Sequence, residues 1–108
     1  QQRGSVVHGL GDALYEHCIY DQAGQLQNAT MADYIVPMSN EMPDIVVEHV
    51  VTPTSKTTLG AKGAGESGMA GVPQAILSAV NDAILPFGGS VSAVPITPED
   101  VLQALGKV

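Results

Sequence analysis

The chain has 108 residues, a mass of 11.1 kDa and a formal net charge of −7, which is the size of one small domain. Hydrophobic residues make up 44% of it and charged residues 14%, so wholesale disorder is excluded. Because its four basic residues are scattered, we predict no nucleic-acid and no membrane partner. The single cysteine, Cys18, excludes an internal disulfide and a Cys-x-x-Cys metal motif. No apolar stretch has the length of a membrane span, so a cytoplasmic location is the default expectation.

The first part of the chain predicts a helix followed by short strands. Apolar residues at spacings of three and four place the helix from about Ser5 to His17, with Ser5 as its N-cap. Gly9 and Gly11 weaken that helix, and either the close approach of a ligand or tight helix packing, the simpler explanation, accounts for them. The next predicted elements are a hairpin over Cys18–Gln27, a strand over Tyr34–Val36, a loop over Met38–Pro43 and a β-branched strand over Asp44–Val51.

The second part begins with a glycine-rich stretch, Thr54–Gly71, which has no helical or strand period and is therefore expected to be functional or mobile. Since helix and strand mix without regular alternation, the predicted fold class is α+β, with a short mixed sheet and about three helices in a single domain of residues 1–108. The elements after the loop are a helix from Pro73 to about Leu85, an extended piece over Val91–Ile96, and a last helix with Thr97 as N-cap, Pro98 at its first position and Gly106 just past its end.

Residues 60–71 form the candidate functional loop, because closely spaced glycines bring bare backbone N–H groups against a ligand. Residues 63–68 match the G-x-G-x-x-G pattern of dinucleotide-binding folds, but no strand leads directly into them and the helix is expected only later. Ser67 is a candidate nucleophile, yet the G-x-S-x-G pattern needs glycine where Met69 stands. Glu66 is a candidate general base, although spacing alone favours a solvated loop carboxylate.

Residues Lys62–Glu66 resemble the K-G-x-G-E segment of the molybdenum-binding large subunits of the xanthine dehydrogenase, aldehyde oxidase and carbon monoxide dehydrogenase family. The resemblance extends over nearly the whole chain, from about Val6 to Leu105. It implies that the chain is a fragment, the carboxy-terminal part of the molybdenum-binding domain of a larger subunit. The other motifs that recur in the same order are Gly9–Glu16, Tyr20–Asp21, Gly24–Leu26, Asp33–Tyr34 with Pro37, Thr52–Pro53 and the helix from Pro73 to Ile84.

The resemblance also implies a chemistry. Glu66 would be the general base that deprotonates a metal-bound hydroxyl or water, and Gly63, Ala64 and Gly65 would present their backbone to the cofactor. The implied cofactor is molybdopterin, as the cytosine dinucleotide or the shorter pterin. The implied reaction is oxidation of an aldehyde, an N-heterocycle or carbon monoxide with oxygen from water. Lys62 is assigned to local structure.

The implied partners are the remainder of the large subunit, iron–sulfur and FAD subunits or domains, and a small-molecule substrate. The fragment alone is expected to bind no cofactor tightly and to be inactive. His8 stands where many relatives have Gln; we predict a surface or packing role for it, and likewise for His17 and His49. Two alternative functions stay open: a non-catalytic interaction module, which would have little reason to retain Glu66, and a nucleotide-binding loop, which predicts saturable binding of NAD or ATP.

Overall fold

A computed structural model describes all 108 residues, and its regular secondary structure is helical. Three α-helices follow one another: α1 (Gln2–Leu14), α2 (Ser67–Ile84) and α3 (Pro98–Ala104). Two short 3₁₀ helices, Ser39–Glu41 and Leu85–Phe87, are the remaining regular elements. The number of α-helices is therefore as predicted. None of the helices combines the length and the apolar character that crossing a membrane would require.

The predicted α+β class, with its short mixed sheet, is wrong, because the structure contains no strand. Backbone pairing is limited to a single antiparallel bridge between Tyr20 and Leu26. The turn predicted between these two residues does form, since the Asp21 carboxylate accepts hydrogen bonds from the N–H groups of Ala23 and Gln25 at 2.9 Å each. The local turn chemistry is thus correct, but the arms of the hairpin do not extend.

Asp44–Val51 shows why the strand predictions failed. Its β-branched residues suit a pleated surface, but a strand also needs a neighbour that satisfies its backbone groups. No backbone hydrogen bond joins residues 44–51 to any other residue, and Val50 is 92% exposed. Without a partner segment within the chain, these residues run as an irregular stretch, as do Tyr34–Val36 and Val91–Ile96.

Helix α1 begins and ends three residues earlier than predicted, at Gln2 and Leu14 rather than at Ser5 and His17. Ser5 is therefore not an N-cap. It is buried inside the helix, where its hydroxyl donates to the Gln2 carbonyl at 2.9 Å and accepts from the Gly68 N–H at 3.2 Å. Packing against α2 thus uses the hydroxyl that would otherwise cap a helix.

Helices α1 and α2 pack closely, and Gly9 lies at their interface. A Cβ atom on Gly9 would lie 2.7 Å from the Cβ of Val72 and 3.3 Å from the Cδ of Pro73. Gly11 is buried in the same way, and its Cβ would meet the Glu16 side chain and, at 3.1 Å, the Cδ of Pro37. Tight helix packing, the simpler of the two explanations, therefore accounts for Gly9, whereas Gly11 packs against residues that follow α1.

Helix α2 begins at Ser67 instead of Pro73, so the last residues of the predicted loop are helical. Pro73 lies inside the helix and is buried, although proline has no N–H to donate there. The predicted end near Leu85 is confirmed to within one residue. The chain leaves the following 3₁₀ turn through Gly88, whose φ of +78° lies in the left-handed region.

Helix α3 starts as predicted at Thr97, whose hydroxyl oxygen accepts from the Asp100 N–H at 3.2 Å. Asp100 in turn accepts from the backbone N–H of Thr97 at 2.8 Å and from its hydroxyl at 2.7 Å, and these bonds lower the pKa of Asp100. The N–H of Ile96 donates to the Ala13 carbonyl at 2.8 Å, which ties the start of α3 to α1.

Few residues are enclosed. Only 9 of 108 are buried, and apart from Pro73 the apolar side chains among them are those of Ala13, Ile84 and Ile96. The radius of gyration is 17.6 Å, whereas a compact domain of this length has about 13 Å. The core is therefore small, and much apolar surface remains uncovered.

Tyr34 forms a hydrogen bond that links two parts of the segment following α1. Its hydroxyl donates to the Glu16 carboxylate at 2.6 Å. That hydrogen bond, followed by partial burial and the negative charge of Glu16, raises the pKa of Tyr34 from 10.0 to about 12. The phenol therefore holds its proton more tightly in the folded chain than in the unfolded one.

We expect this tyrosine to make stability pH-dependent at the alkaline end. Its contribution is fully present below the unfolded pKa of 10.0 and is lost as the pH rises toward the folded value of about 12. Tyr34→Phe should remove the component of the tyrosinate absorbance titration with a midpoint near 12 and reduce the loss of stability over that interval. Tyr20→Phe, at an exposed position, is the control that should retain the component. A wild-type titration in which every tyrosine ionises near its ordinary value would contradict the assignment.

Candidate functional site

The glycine-rich loop is ordered by hydrogen bonds within itself. The N–H of Thr54 donates to the Gly60 carbonyl at 3.1 Å, and Gly60 adopts a left-handed φ of +68°. The Lys62 ammonium donates to the hydroxyl of Thr52 at 2.6 Å. This contact agrees with the local structural role predicted for Lys62, and it joins the chain before the loop to the residues that precede Glu66.

Glu66 lies in the tight turn that leads from the loop into α2. The Ser67 N–H donates to the Ala64 carbonyl at 3.3 Å, so Gly65 and Glu66 are the two central residues. The φ of −106° and ψ of 9° at Glu66 are close to those of the third residue of a type I turn. Glu66 is also the N-cap residue of α2, but its side chain caps no helix N–H.

The Glu66 carboxylate is exposed and has no partner. The one salt bridge in the structure joins Arg3 to Asp44 at 3.5 Å, and no side chain or backbone group hydrogen-bonds to the carboxylate oxygens. Both oxygens are thus available to accept a proton or a hydrogen bond from a bound molecule.

A polar cleft of about 240 Å³ separates the Glu66 turn from the start of α1. None of its lining residues is hydrophobic. His8 forms part of the wall and is exposed, which agrees with the predicted surface role. The spacing of Gly4, Ser5 and His8 places them on one helix face, but it does not indicate that this face meets the loop. The lining residues are Gln1, Gly4, Ser5, His8, Gly65 and Glu66.

Two competing interpretations of the loop find little support. The Ser67 hydroxyl lies 2.7 Å from Gln2 Oε1 and 2.9 Å from the Ala64 carbonyl, and no histidine hydrogen-bonds to it, whereas a serine nucleophile needs a base as partner. The helix does open inside the G-x-G-x-x-G pattern, earlier than expected, but no strand precedes it. Asp82 lies within α2 and not at the end of a second strand, where the dinucleotide-binding pattern needs an acid.

Comparison with known proteins connects this geometry to one family. Residues 1–43 match the molybdopterin cofactor-binding domain. The chain is 44% identical over 104 residues to the nicotine 6-hydroxylase large subunit of Paenarthrobacter nicotinovorans, covering 96% of this chain and 13% of that subunit. It is 31% identical to the carbon monoxide dehydrogenase large chain of Hydrogenophaga pseudoflava, over 97% of this chain and 13% of that one. Among solved structures, quinoline 2-oxidoreductase from Pseudomonas putida 86 superposes with a TM-score of 0.90 and 39% identity, over 97% of this chain and 13% of that one.

The family model covers the first part of the chain, and the similar proteins cover nearly all of it. The chain belongs to the family of molybdopterin-binding large subunits of molybdenum hydroxylases and carbon monoxide dehydrogenases. It spans 10–14% of the length of the curated relatives it matches.

The loop residues at and beside the cleft have donors that fit an organic cofactor of this kind. The N–H groups of Gly63, Ala64, Gly65 and Glu66 donate to no acceptor in the chain. Nothing lies within 4 Å of the position that a Cβ would take on Gly63, so a bound group has access to the backbone there. Free N–H donors beside amide and imidazole side chains suit the oxygen and nitrogen acceptors of a pterin.

Proposed function

We propose that this chain provides the general-base segment of a molybdenum-cofactor oxidoreductase, with Glu66 as the base. The observation that carries the proposal is the state of the Glu66 carboxylate: it is unpaired, it belongs to a turn fastened to two helices, and it faces a polar cleft. A solvated loop carboxylate without a function would require neither a polar cleft beside it nor a turn held in place by hydrogen bonds. The presence of Glu66 also favours a catalytic function over the alternative of a non-catalytic interaction module, which would have little reason to retain this acid.

The cofactor in this proposal is molybdopterin, in the cytosine dinucleotide form, and when bound it supplies a metal centre that accepts two electrons from the substrate. Gly63, Ala64 and Gly65 offer their free N–H groups to it, and the absence of side chains at the two glycines lets it approach the backbone. Glu66 accepts the proton of the water-derived oxygen that is transferred to the substrate carbon, which is the ordinary work of a positioned carboxylate.

An N-heterocycle is the substrate class that we favour over an aldehyde or carbon monoxide. The proteins named for nicotine and quinoline are 44% and 39% identical to this chain, against 35% for an aldehyde oxidoreductase subunit and 31% for the carbon monoxide dehydrogenase chain. Partners in the proposal are the remainder of the large subunit and the iron–sulfur and FAD subunits or domains. The uncovered apolar side chains of Val46, Val51 and Leu59, each at least 80% exposed, support burial against a larger assembly.

The test is to purify the intact large subunit containing this sequence together with its partner chains and to assay it with an artificial electron acceptor. Nicotine, quinoline, an aldehyde and carbon monoxide form the substrate panel, in water labelled with heavy oxygen. We expect oxidation of a heterocycle with label in the product, and no turnover by the 108 residues alone. A fully cofactor-loaded enzyme that oxidises none of the four would overturn the proposal.

A further inference from the structure

Gln2, the first residue of α1, reaches the glycine-rich loop across 62 positions of sequence. Its side-chain Nε2 donates to the carbonyl of Ala64, and its Oε1 accepts from the Ser67 hydroxyl at 2.7 Å. The orientation of the amide follows from its neighbours. Because a backbone carbonyl can only accept, the nitrogen must face Ala64, and the oxygen then meets the hydroxyl, which can donate.

These two contacts lie at the two ends of the turn that carries Glu66. Ala64 is the first residue of that turn and Ser67 the last, joined by the bond from the Ser67 N–H to the Ala64 carbonyl at 3.3 Å. One amide group therefore holds both ends. A third contact continues the attachment, since the Gly68 N–H donates to Ser5 in the next turn of α1 at 3.2 Å.

The direction of the Glu66 side chain depends on this attachment. The carboxylate makes no hydrogen bond of its own, so only the backbone of the turn determines where it lies. Gly63 and Gly65 give that backbone wide conformational freedom, and a catalytic group displaced by about 1 Å can lose about 100-fold in rate. The turn therefore needs an external anchor if Glu66 is to act as a base.

We propose that Gln2 is a positioning residue: its side-chain amide, together with the Ser67 hydroxyl, holds the Ala64–Ser67 turn against α1 and so fixes Glu66 at the cleft. This inference rests on the proposed role of Glu66 as general base. In this proposal the Gln2 side chain contacts neither substrate nor cofactor. It acts by holding the turn that carries Glu66.

The experiment uses the intact enzyme and two readouts. Gln2→Ala removes both bonds, so the amides of Ser67, Gly68 and Ala70 should exchange hydrogen about 5- to 30-fold faster, the loss expected for two net hydrogen bonds. The kcat per bound molybdenum should fall about 10-fold with KM changed less than about 2-fold. A residue that only supports folding would lower the yield of loaded enzyme but not kcat per molybdenum.

Matched variants isolate the hydrogen bonds. Gln2→Glu keeps the size and the acceptor but loses the donor to Ala64, and should behave like Gln2→Ala. Ser67→Thr retains the hydroxyl and should keep activity, whereas Ser67→Ala should lose it in part. The double variant Q2A/S67A should be less impaired than the product of the single effects. Gln74→Ala, at an exposed position of α2 that makes no side-chain hydrogen bond, is the control expected to match wild type.

The outcomes separate this inference from the base role. Wild-type exchange and wild-type kcat in Gln2→Ala, with turnover lost in Glu66→Gln, would overturn the positioning role and leave the base in place. Retained turnover in Glu66→Gln would overturn the base role itself. Exchange in the 64–70 segment of Gln2→Ala would still report whether the amide holds the turn.

Discussion

Replacing Glu66 with glutamine is expected to lower the turnover of the intact enzyme by at least about 100-fold, the lower end for loss of a general base. Glutamine has the same shape, and the carboxylate makes no internal hydrogen bond or salt bridge, so the substitution breaks no contact of the fold. Molybdenum content should therefore be unchanged. The measurement is kcat per bound molybdenum with the substrate that wild type oxidises best.

Glu48→Gln is the matched control, because Glu48 is also an exposed, unpaired acid but lies outside the cleft. It should turn over like wild type. Equal kcat values for Glu66→Gln and wild type would remove Glu66 from the chemistry. Loss of molybdenum in parallel with turnover would instead make it a residue that retains the cofactor.

Gly9→Ala is expected to destabilise the packing of α1 on α2 by about 1–3 kcal/mol, the usual range for an overpacked interface. The new methyl group would lie 2.7 Å from Val72 Cβ and 3.1 Å from Val72 Cγ1. A β-branched side chain in a helix has essentially one rotamer and cannot turn aside, so the helices must separate. Since α1 and the turn that leads into α2 form the two sides of the cleft, activity should fall together with stability.

The control for this substitution is Gly71→Ala. Gly71 also lies within a packed helix, but nothing approaches within 4 Å of its Cβ position, so alanine should gain up to about 1 kcal/mol from its better helix propensity. Denaturant unfolding of the intact subunit, followed by circular dichroism, compares the variants. If the two alanine substitutions shift the unfolding midpoint equally, the close contact at Gly9 does not determine the stability of the helix packing.

Features that depend on a few neighbouring residues could be predicted from the sequence. The N-cap of α3 at Thr97, the turn of the predicted hairpin and the end of α2 near Leu85 all formed as expected. Each is stabilised by side-chain or backbone bonds that span at most a few positions. The K-G-x-G-E motif is also a run of neighbouring residues, so it could be recognised in the sequence. It indicated the family to which the similar proteins belong.

The tertiary structure decided everything that depends on distant partners. Helices α1 and α2 both start earlier than predicted, and Ser5 bonds to Gly68 within these added turns, a contact between helices that no local pattern encodes. The sheet failed because β-branched residues favour a strand only when another segment satisfies their backbone groups, and no segment of the chain does so. The attachment of Gln2 to the Glu66 turn and the place of His8 in the cleft likewise required folding to bring the start of the chain to the loop.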